Sequence, residues 1–109
     1  MDIQMKKGLL DVCVLAVLMQ SDSYGWQIIK DLSTVIEISE STLYPVLKRL
    51  ESSSFVKTYD QPHNGRLRRY YKITPSGINK IKEFDKEFDA FVKIFNFVES
   101  ALLKGGDDA

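Results

Sequence analysis

Residues 41–51 read Ser-Thr-Leu-Tyr-Pro-Val-Leu-Lys-Arg-Leu-Glu. Leu43, Val46, Leu47 and Leu50 recur at i, i+3, i+4 and i+7, the spacing of one apolar helix face. At about 100° per residue, the opposite arc holds Ser41, Pro45, Lys48, Arg49 and Ser52, flanked by Thr42 and Tyr44. One side of this helix is therefore a core stripe. The other carries short hydroxyls, a tyrosine and two cations. A helix that enters the DNA major groove needs that set, with its N-terminal residues at base edges. An ordinary surface helix also places polar residues opposite an apolar stripe, so the neighbouring segments decide. Two starts are open. With Ser39 as N-cap, Pro45 is the sixth helical residue and should disturb the first turns; with Ser41 it is the fourth and costs less.

Downstream, two extended runs, Phe55–Gln61 and Arg66–Ile73, are separated by Pro62-His63-Asn64-Gly65. Asn-Gly is a strong hairpin signal because both residues tolerate positive φ. The second run alternates Arg66, Arg68, Tyr70 and Lys72 on one face with Leu67, Arg69, Tyr71 and Ile73 on the other. Thr74-Pro75 then reads as an N-cap followed by proline at the first helical position. A long last helix runs to about Lys104, and Gly105-Gly106 should end it.

Upstream, Gly8–Gln20 is almost wholly apolar. A helix apolar nearly all round must be covered on more than one side, which points to a partner chain. A short helix, about Tyr24–Ser33, follows the Ser21-Asp22-Ser23 loop, and Gly25 near its start implies a close backbone approach. The order is three helices, a two-stranded hairpin and a long helix. The fold expected is mainly α (α+β): a winged helix-turn-helix with a two-stranded β wing. The boundaries expected are a DNA-binding domain over residues 1–74, a dimerisation helix over 75–104 and a frayed tail over 105–109.

Charge agrees with this order. The 109 residues hold 15 Lys+Arg and 15 Asp+Glu, so the net charge is zero and a globally basic nucleic-acid binder is excluded. Between Ser41 and Lys72, however, seven cations meet two acids, a balance of +5, which leaves −5 for the rest. All four arginines (Arg49, Arg66, Arg68, Arg69) lie there. Arginine's planar fork suits phosphates and guanine edges, and a local basic stretch is the footprint of a nucleic-acid binder. One histidine and one cysteine leave too few ligands for a structural zinc site and little for a catalytic triad. There is no phosphate loop and no nucleophile with a base, so no enzyme and no cofactor is expected. The longest apolar stretch, Val12–Met19, is far short of the roughly 20 residues that span a bilayer. With no signal peptide at the start and a single cysteine, a cytoplasmic setting is expected.

Together these stretches resemble the PadR family of bacterial transcription regulators. Ser41–Glu51 looks like its recognition helix, and Gly65–Thr74 like its wing, with Gly77 matching the glycine that follows. Gly8-Leu9-Leu10, Leu15 and Tyr24-Gly25 match its first two helices. The likeness covers roughly residues 7–100, and the single C-terminal helix resembles the compact subfamily. It implies a dimeric winged-helix repressor, often responsive to small aromatic compounds or other stress signals. Two departures stand out. Ser54 occupies the helix exit where glycine is usual, at a cost of about 1 kcal/mol if its φ is positive. Leu67 stands where a further cation is common in the wing.

The candidate DNA contacts are Ser41, Thr42, Tyr44, Pro45, Lys48 and Arg49 on the helix. On the wing they are His63, Asn64, Arg66, Arg68, Arg69, Tyr70 and Lys72. Arg69 shares a strand face with Leu67, Tyr71 and Ile73 and could instead pair internally with an acid. The partner expected is double-stranded DNA with a pseudo-palindromic operator.

In the last helix, Ile81, Phe84, Phe88, Phe91, Phe95, Val98 and Leu102 form a heptad seam, widened by Val92, Ile94, Phe97 and Leu103. The expected interface is this seam together with Leu9 and Leu10, packed against a second copy. Bulky phenylalanines could leave a gap for a flat aromatic effector lined by Trp26, Phe84, Phe88 and Phe91; a dry phenylalanine core is the alternative. Cys13, in the apolar first helix, reads as a buried inert thiol before it reads as a redox sensor. The function expected is a homodimeric sequence-specific DNA-binding repressor. The competing class is a winged-helix protein-docking module without DNA binding, which has no need of a basic segment that gathers all four arginines. A ligand carrier without a promoter target is a further alternative.

Overall fold

The structure, a computed structural model, describes residues 3–106. Its elements run α1 (Ile3–Gln20), α2 (Gly25–Leu32), α3 (Glu40–Ser52), β1 (Val56–His63), β2 (Arg66–Ile73) and α4 (Pro75–Gly106). This is the winged helix-turn-helix with a long C-terminal helix that the residue pattern predicts. The core gathers Val14, Leu15 and Leu18 of α1, Ile28 and Leu32 of α2, the full Leu43, Val46, Leu47, Leu50 stripe of α3, and Val56 and Tyr71 of the hairpin.

α1 corrects one expectation. It is wrapped by its own chain, with α2, α3, β2 and α4 all against it. Its all-round apolarity is satisfied at the centre of a single domain, so it calls for no partner chain. Leu10 is 5% exposed and part of this core, and Ile81 packs against the same core. Leu10 therefore has almost no surface left for the interface expected of it, and Ile81 keeps only a partly exposed edge. Leu9 stays half-buried on the α4 side.

Several boundaries also differ. α1 begins at Ile3 rather than Gly8. Ser39, extended at φ −92° and ψ 169°, precedes α3, so Pro45 is the sixth helical residue, and the helix continues through it. Proline leaves the Ser41 carbonyl without its helical donor, but both residues are exposed, so water reaches that oxygen. α3 closes with two bonds: the Phe55 N–H donates to the Leu50 carbonyl (2.9 Å) and the Ser54 N–H to the Glu51 carbonyl (2.9 Å). That is the Schellman arrangement, which needs a left-handed residue, and Ser54 sits at φ 63°.

The hairpin loop is shorter than expected. Only Asn64 (φ 53°) and Gly65 (φ 78°) lie outside the strands, and His63 pairs with Arg66. Pro62 joins β1 opposite Leu67. Counting from a two-residue loop, that rung is a non-hydrogen-bonded pair, so the missing N–H removes no ladder bond. A third backbone segment joins the sheet, with Ser23 and Tyr71 exchanging N–H···O bonds of 3.2 and 2.8 Å.

Thr74 caps α4 as expected. Its Oγ1 accepts from the Gly77 N–H (3.2 Å) and donates to the Ser54 carbonyl (2.7 Å). α4 runs two residues past its expected stop, through Gly105 and Gly106. Each glycine costs about 1 kcal/mol against alanine in a helix but does not forbid it. The expected frayed tail thus loses residues 105–106 to α4, and its remainder, residues 107–109, lies outside the described residues. At 1.5 Å per residue α4 is about 48 Å long, and it stretches the molecule to 68 Å.

Candidate nucleic-acid interface

α3 turns its apolar stripe inward and leaves Ser41, Thr42, Tyr44, Pro45, Lys48 and Arg49 exposed. Tyr44 is 49% exposed and leans across the start of α2. A Cβ placed on Gly25 would come within 2.9 Å of the Tyr44 hydroxyl, so the close approach at this glycine is to the tip of a side chain and not to backbone. Ser39, Ser41 and Thr42 share hydroxyl contacts of 2.8 and 3.3 Å at the N-terminal turn. Polar groups and one aromatic edge therefore sit at the end of α3 that would enter a groove.

Arg49 is placed differently from its neighbours. Its guanidinium forms an ion pair with Asp11 of α1, and its Nε donates to the same carboxylate at 3.4 Å. It ties the back of α3 to α1. Arg69 likewise pairs with Asp60 across the hairpin, Nε to Oδ1 at 3.7 Å, the internal acid that its strand face allows. These are the ion pairs among the described residues. Lys48, Lys57, Arg66, Arg68 and Lys72 are left as the cations of the segment outside such pairs.

The wing has a brace that sequence reasoning missed. Tyr59 stacks on Tyr70 across the strands, centroids 5.5 Å apart, and Tyr70 meets Tyr24 edge-on at 5.5 Å. The Arg68 guanidinium lies 3.9 Å from the Tyr24 ring centroid and donates to the Tyr70 hydroxyl at 3.4 Å. The Tyr59 hydroxyl donates to Asp22 at 2.7 Å, and that bond holds the phenol's pKa above its usual value. The cluster clamps the wing to the turn between α1 and α2. Arg68 and Tyr70, predicted as DNA contacts, are half-buried members of it. Counting back from the Asn64-Gly65 loop gives the Tyr59–Tyr70 pair, so this signal was available; Asp22 and Tyr24 had none. His63, Asn64, Arg66 and Lys72 remain exposed on the wing, with Asn64 and His63 side chains 3.3 Å apart at its tip.

On the opposite side, Leu9 and Val12 of α1 and Phe84, Phe88 and Phe91 of α4 line a groove of about 400 Å³, with Lys80, Glu83 and Glu87 at its edge. Three of the four residues predicted for an aromatic ligand meet there. Trp26 does not; it is exposed under the Lys30 ammonium, 5.1 Å from its ring centroid. Beyond the groove the seam lies bare: Phe88, Phe91, Phe95 and Val98 are about half exposed, and Leu102 more so. Cys13 packs against the core, and burial pushes its thiol pKa up, away from the reactive thiolate. Among the described residues no group of acids, histidine or cysteine could hold a metal ion, and no helix is long and apolar enough to cross a membrane.

The model of the transcriptional regulator PadR-like family matches residues 14–83, which run from α1 into the start of α4. A transcriptional regulator from Clostridium thermocellum is 32% identical, with a TM-score of 0.77 over 88% of this chain and 95% of its own. A PadR family transcription regulator from Clostridium difficile is 29% identical, with a TM-score of 0.75 over 82% and 96%. Bacillus subtilis PadR, solved in complex with operator DNA, shares the fold at 20% identity, with a TM-score of 0.66 over 70% of this chain and 45% of that one. The family match spans the helix-turn-helix, the wing and the start of the long helix, and the chain path is shared over most of the chain: this chain belongs to the PadR-like family of transcriptional regulators.

Proposed function

We propose that the protein is a homodimeric, sequence-specific DNA-binding repressor. The observation that carries this reading is the division of α3. Its leucines and valine are consumed by the core, and Ser41, Thr42, Tyr44 and Lys48 face solvent beside a braced wing. In that reading these four side chains lie nearest base edges, with Pro45 against the groove wall. His63, Asn64, Arg66 and Lys72 supply the phosphate contacts. Arg68 and Tyr70 hold the wing in position, and Arg49 and Arg69 are committed to acids. The Bacillus subtilis relative solved with operator DNA supports duplex DNA as the partner.

The bare α4 seam supports a second copy as its cover. A two-fold dimer reads a two-fold site, with half-sites about 10 base pairs apart or a multiple of that. Occupying such a site is how these parts regulate, which makes repression the reading. The 400 Å³ groove beside the seam suits a small flat aromatic effector that releases the DNA by altering how the copies pack.

The deciding experiment is the salt dependence of binding to labelled duplex DNA. Each lost phosphate contact lowers the slope of log K against log salt by about 0.9. Arg66→Ala with Lys72→Ala removes two contacts from each subunit, so it lowers the dimer's slope by about 3.6 and weakens all sequences alike. Wild-type protein with no salt-dependent duplex binding would overturn the reading in favour of a protein-docking module.

A further inference from the structure

The α3-side face of the hairpin ends in a rung that its own chain leaves bare. From the core outward the rungs are Val56/Ile73, Thr58/Tyr71, Asp60/Arg69 and Pro62/Leu67. Val56 and Tyr71 belong to the core. Thr58 donates to Glu51 of α3 at 3.0 Å, and Asp60 pairs with Arg69. Leu67 is 71% exposed and packs against no core residue. A lone surface leucine is ordinary. This one is held at a fixed height by an Asn64-Gly65 turn and faces a proline. Arg66, its exposed neighbour in the chain, lies on the other strand face, Arg68 is held in the tyrosine brace, and His63 and Asn64 stand at the tip.

An apolar rung at a tip whose other face carries the exposed Arg66 matches a surface with anionic walls and stackable bases between them. The reach also matches. Pro62 lies four residues beyond Thr58, the last point of contact with α3. At about 3.3 Å per residue that is roughly 13 Å, and the tip is about 17 Å out. Half of a DNA turn, about 17 Å, separates a major groove holding α3 from the next minor groove.

We propose that Leu67, backed by Pro62, is the wing's specificity-determining contact: an apolar wedge in the operator's minor groove, seated at a flexible pyrimidine–purine step. This inference rests on the reading that α3 and the wing bind duplex DNA. Leucine offers no hydrogen bond, so its preference comes from the ease of deforming the step. TA and CA/TG steps unstack most readily, and apolar side chains are the wedges that exploit them. Arg66 holds the wedge down through phosphate and carries no sequence preference itself. The wing then reads base pairs that α3 cannot reach.

The test uses the full chain and a duplex selected by it from a randomised pool. Wild type selects a pyrimidine–purine step outside the α3 contacts, and 2-aminopurine placed at that step brightens on binding. Leu67→Ala loses both the preference and the brightening. Its affinity for the selected site falls on the order of 10-fold, with its random-duplex affinity and salt slope unchanged. Leu67→Lys adds one cation to each wing, steepens the dimer's slope by about 1.8 and shows no step preference. Both variants keep the wild-type unfolding midpoint, because the position is outside the core. If wild type binds DNA and Leu67→Ala recovers the same site with the same tolerance and the same fluorescence, the wedge is refuted and the DNA-binding reading stands. Absence of salt-dependent duplex binding by wild type refutes both.

Discussion

Ser54 holds a backbone conformation that its own side chain opposes. At φ 63° it closes α3, and its carbonyl accepts from both Thr74 and Ser76. Neither bond uses the Ser54 side chain. Ser54→Gly keeps them and removes the strain, so the urea midpoint should rise by the equivalent of about 1 kcal/mol with an unchanged slope. Gly77 is the opposite case. A Cβ there would lie 2.3 Å from the Phe55 carbonyl oxygen and 2.7 Å from Ile73 Cγ1. Backbone cannot step aside cheaply, so Gly77→Ala should cost about 1–3 kcal/mol in the same measurement. Cys13 gives a pH-dependent prediction. Burial raises its thiol pKa in the native state, so the unfolded chain loses that proton first as pH rises. Native stability should then fall above the ordinary thiol range, and Cys13→Ala should flatten part of that fall in pH-dependent unfolding. Alkylation of the native thiol should also be slower than that of the unfolded chain.

Elements meet through caps and rungs. Thr74 joins the end of α3 to the start of α4, since one hydroxyl serves the Gly77 N–H and the Ser54 carbonyl. Thr74→Val keeps the shape and removes both bonds, and should cost about 1–2 kcal/mol by thermal unfolding. The turn was readable at Asn64-Gly65, while the expected four-residue loop left Pro62 and His63 out of the ladder. A two-residue Asn-Gly loop sets His63 against Arg66, and each earlier rung follows by counting, including Tyr59–Tyr70 and Asp60–Arg69. The brace was not readable in full, because Tyr59 reaches Asp22, 37 residues away, and Arg68 reaches Tyr24. No spacing rule connects those positions.

For the whole molecule, the outer half of α4 is the unfinished part. Phe88, Phe91 and Phe95 stay about half exposed, and Phe97 is 76% exposed. In the proposed dimer, burying the exposed half of such a ring contributes about 0.8–1.5 kcal/mol, half the value for a whole phenylalanine. Phe91→Asp with Phe95→Asp should yield a monomer in sedimentation, with preference for a two-fold site lost. A stable dimer from that variant would move the interface elsewhere. Tyr44→Phe and Lys48→Ala should each relax operator preference at one position per half-site, at about 1–3 kcal/mol, in a randomised-duplex selection.

Sequence alone determined the parts whose causes act within a few residues. These are the α3 stripe at helical spacing, the positive-φ pair that turns the hairpin and the Thr74-Pro75 start of α4. Tertiary structure alone decided which surface covers each apolar face. Periodicity says that α1 must be covered on several sides, and it is silent on whether its own chain or another does so. The fold wraps α1 with four elements, takes Leu10 into its own core, packs Ile81 against that core, and leaves the seam from Phe88 onward bare. It also spends Arg49 on Asp11, 38 residues earlier, where the residue pattern offered both arginine and lysine to DNA. Burial and ion pairing join residues that the chain must first bring together, and that closure is a property of the packed helices, not of any one stretch.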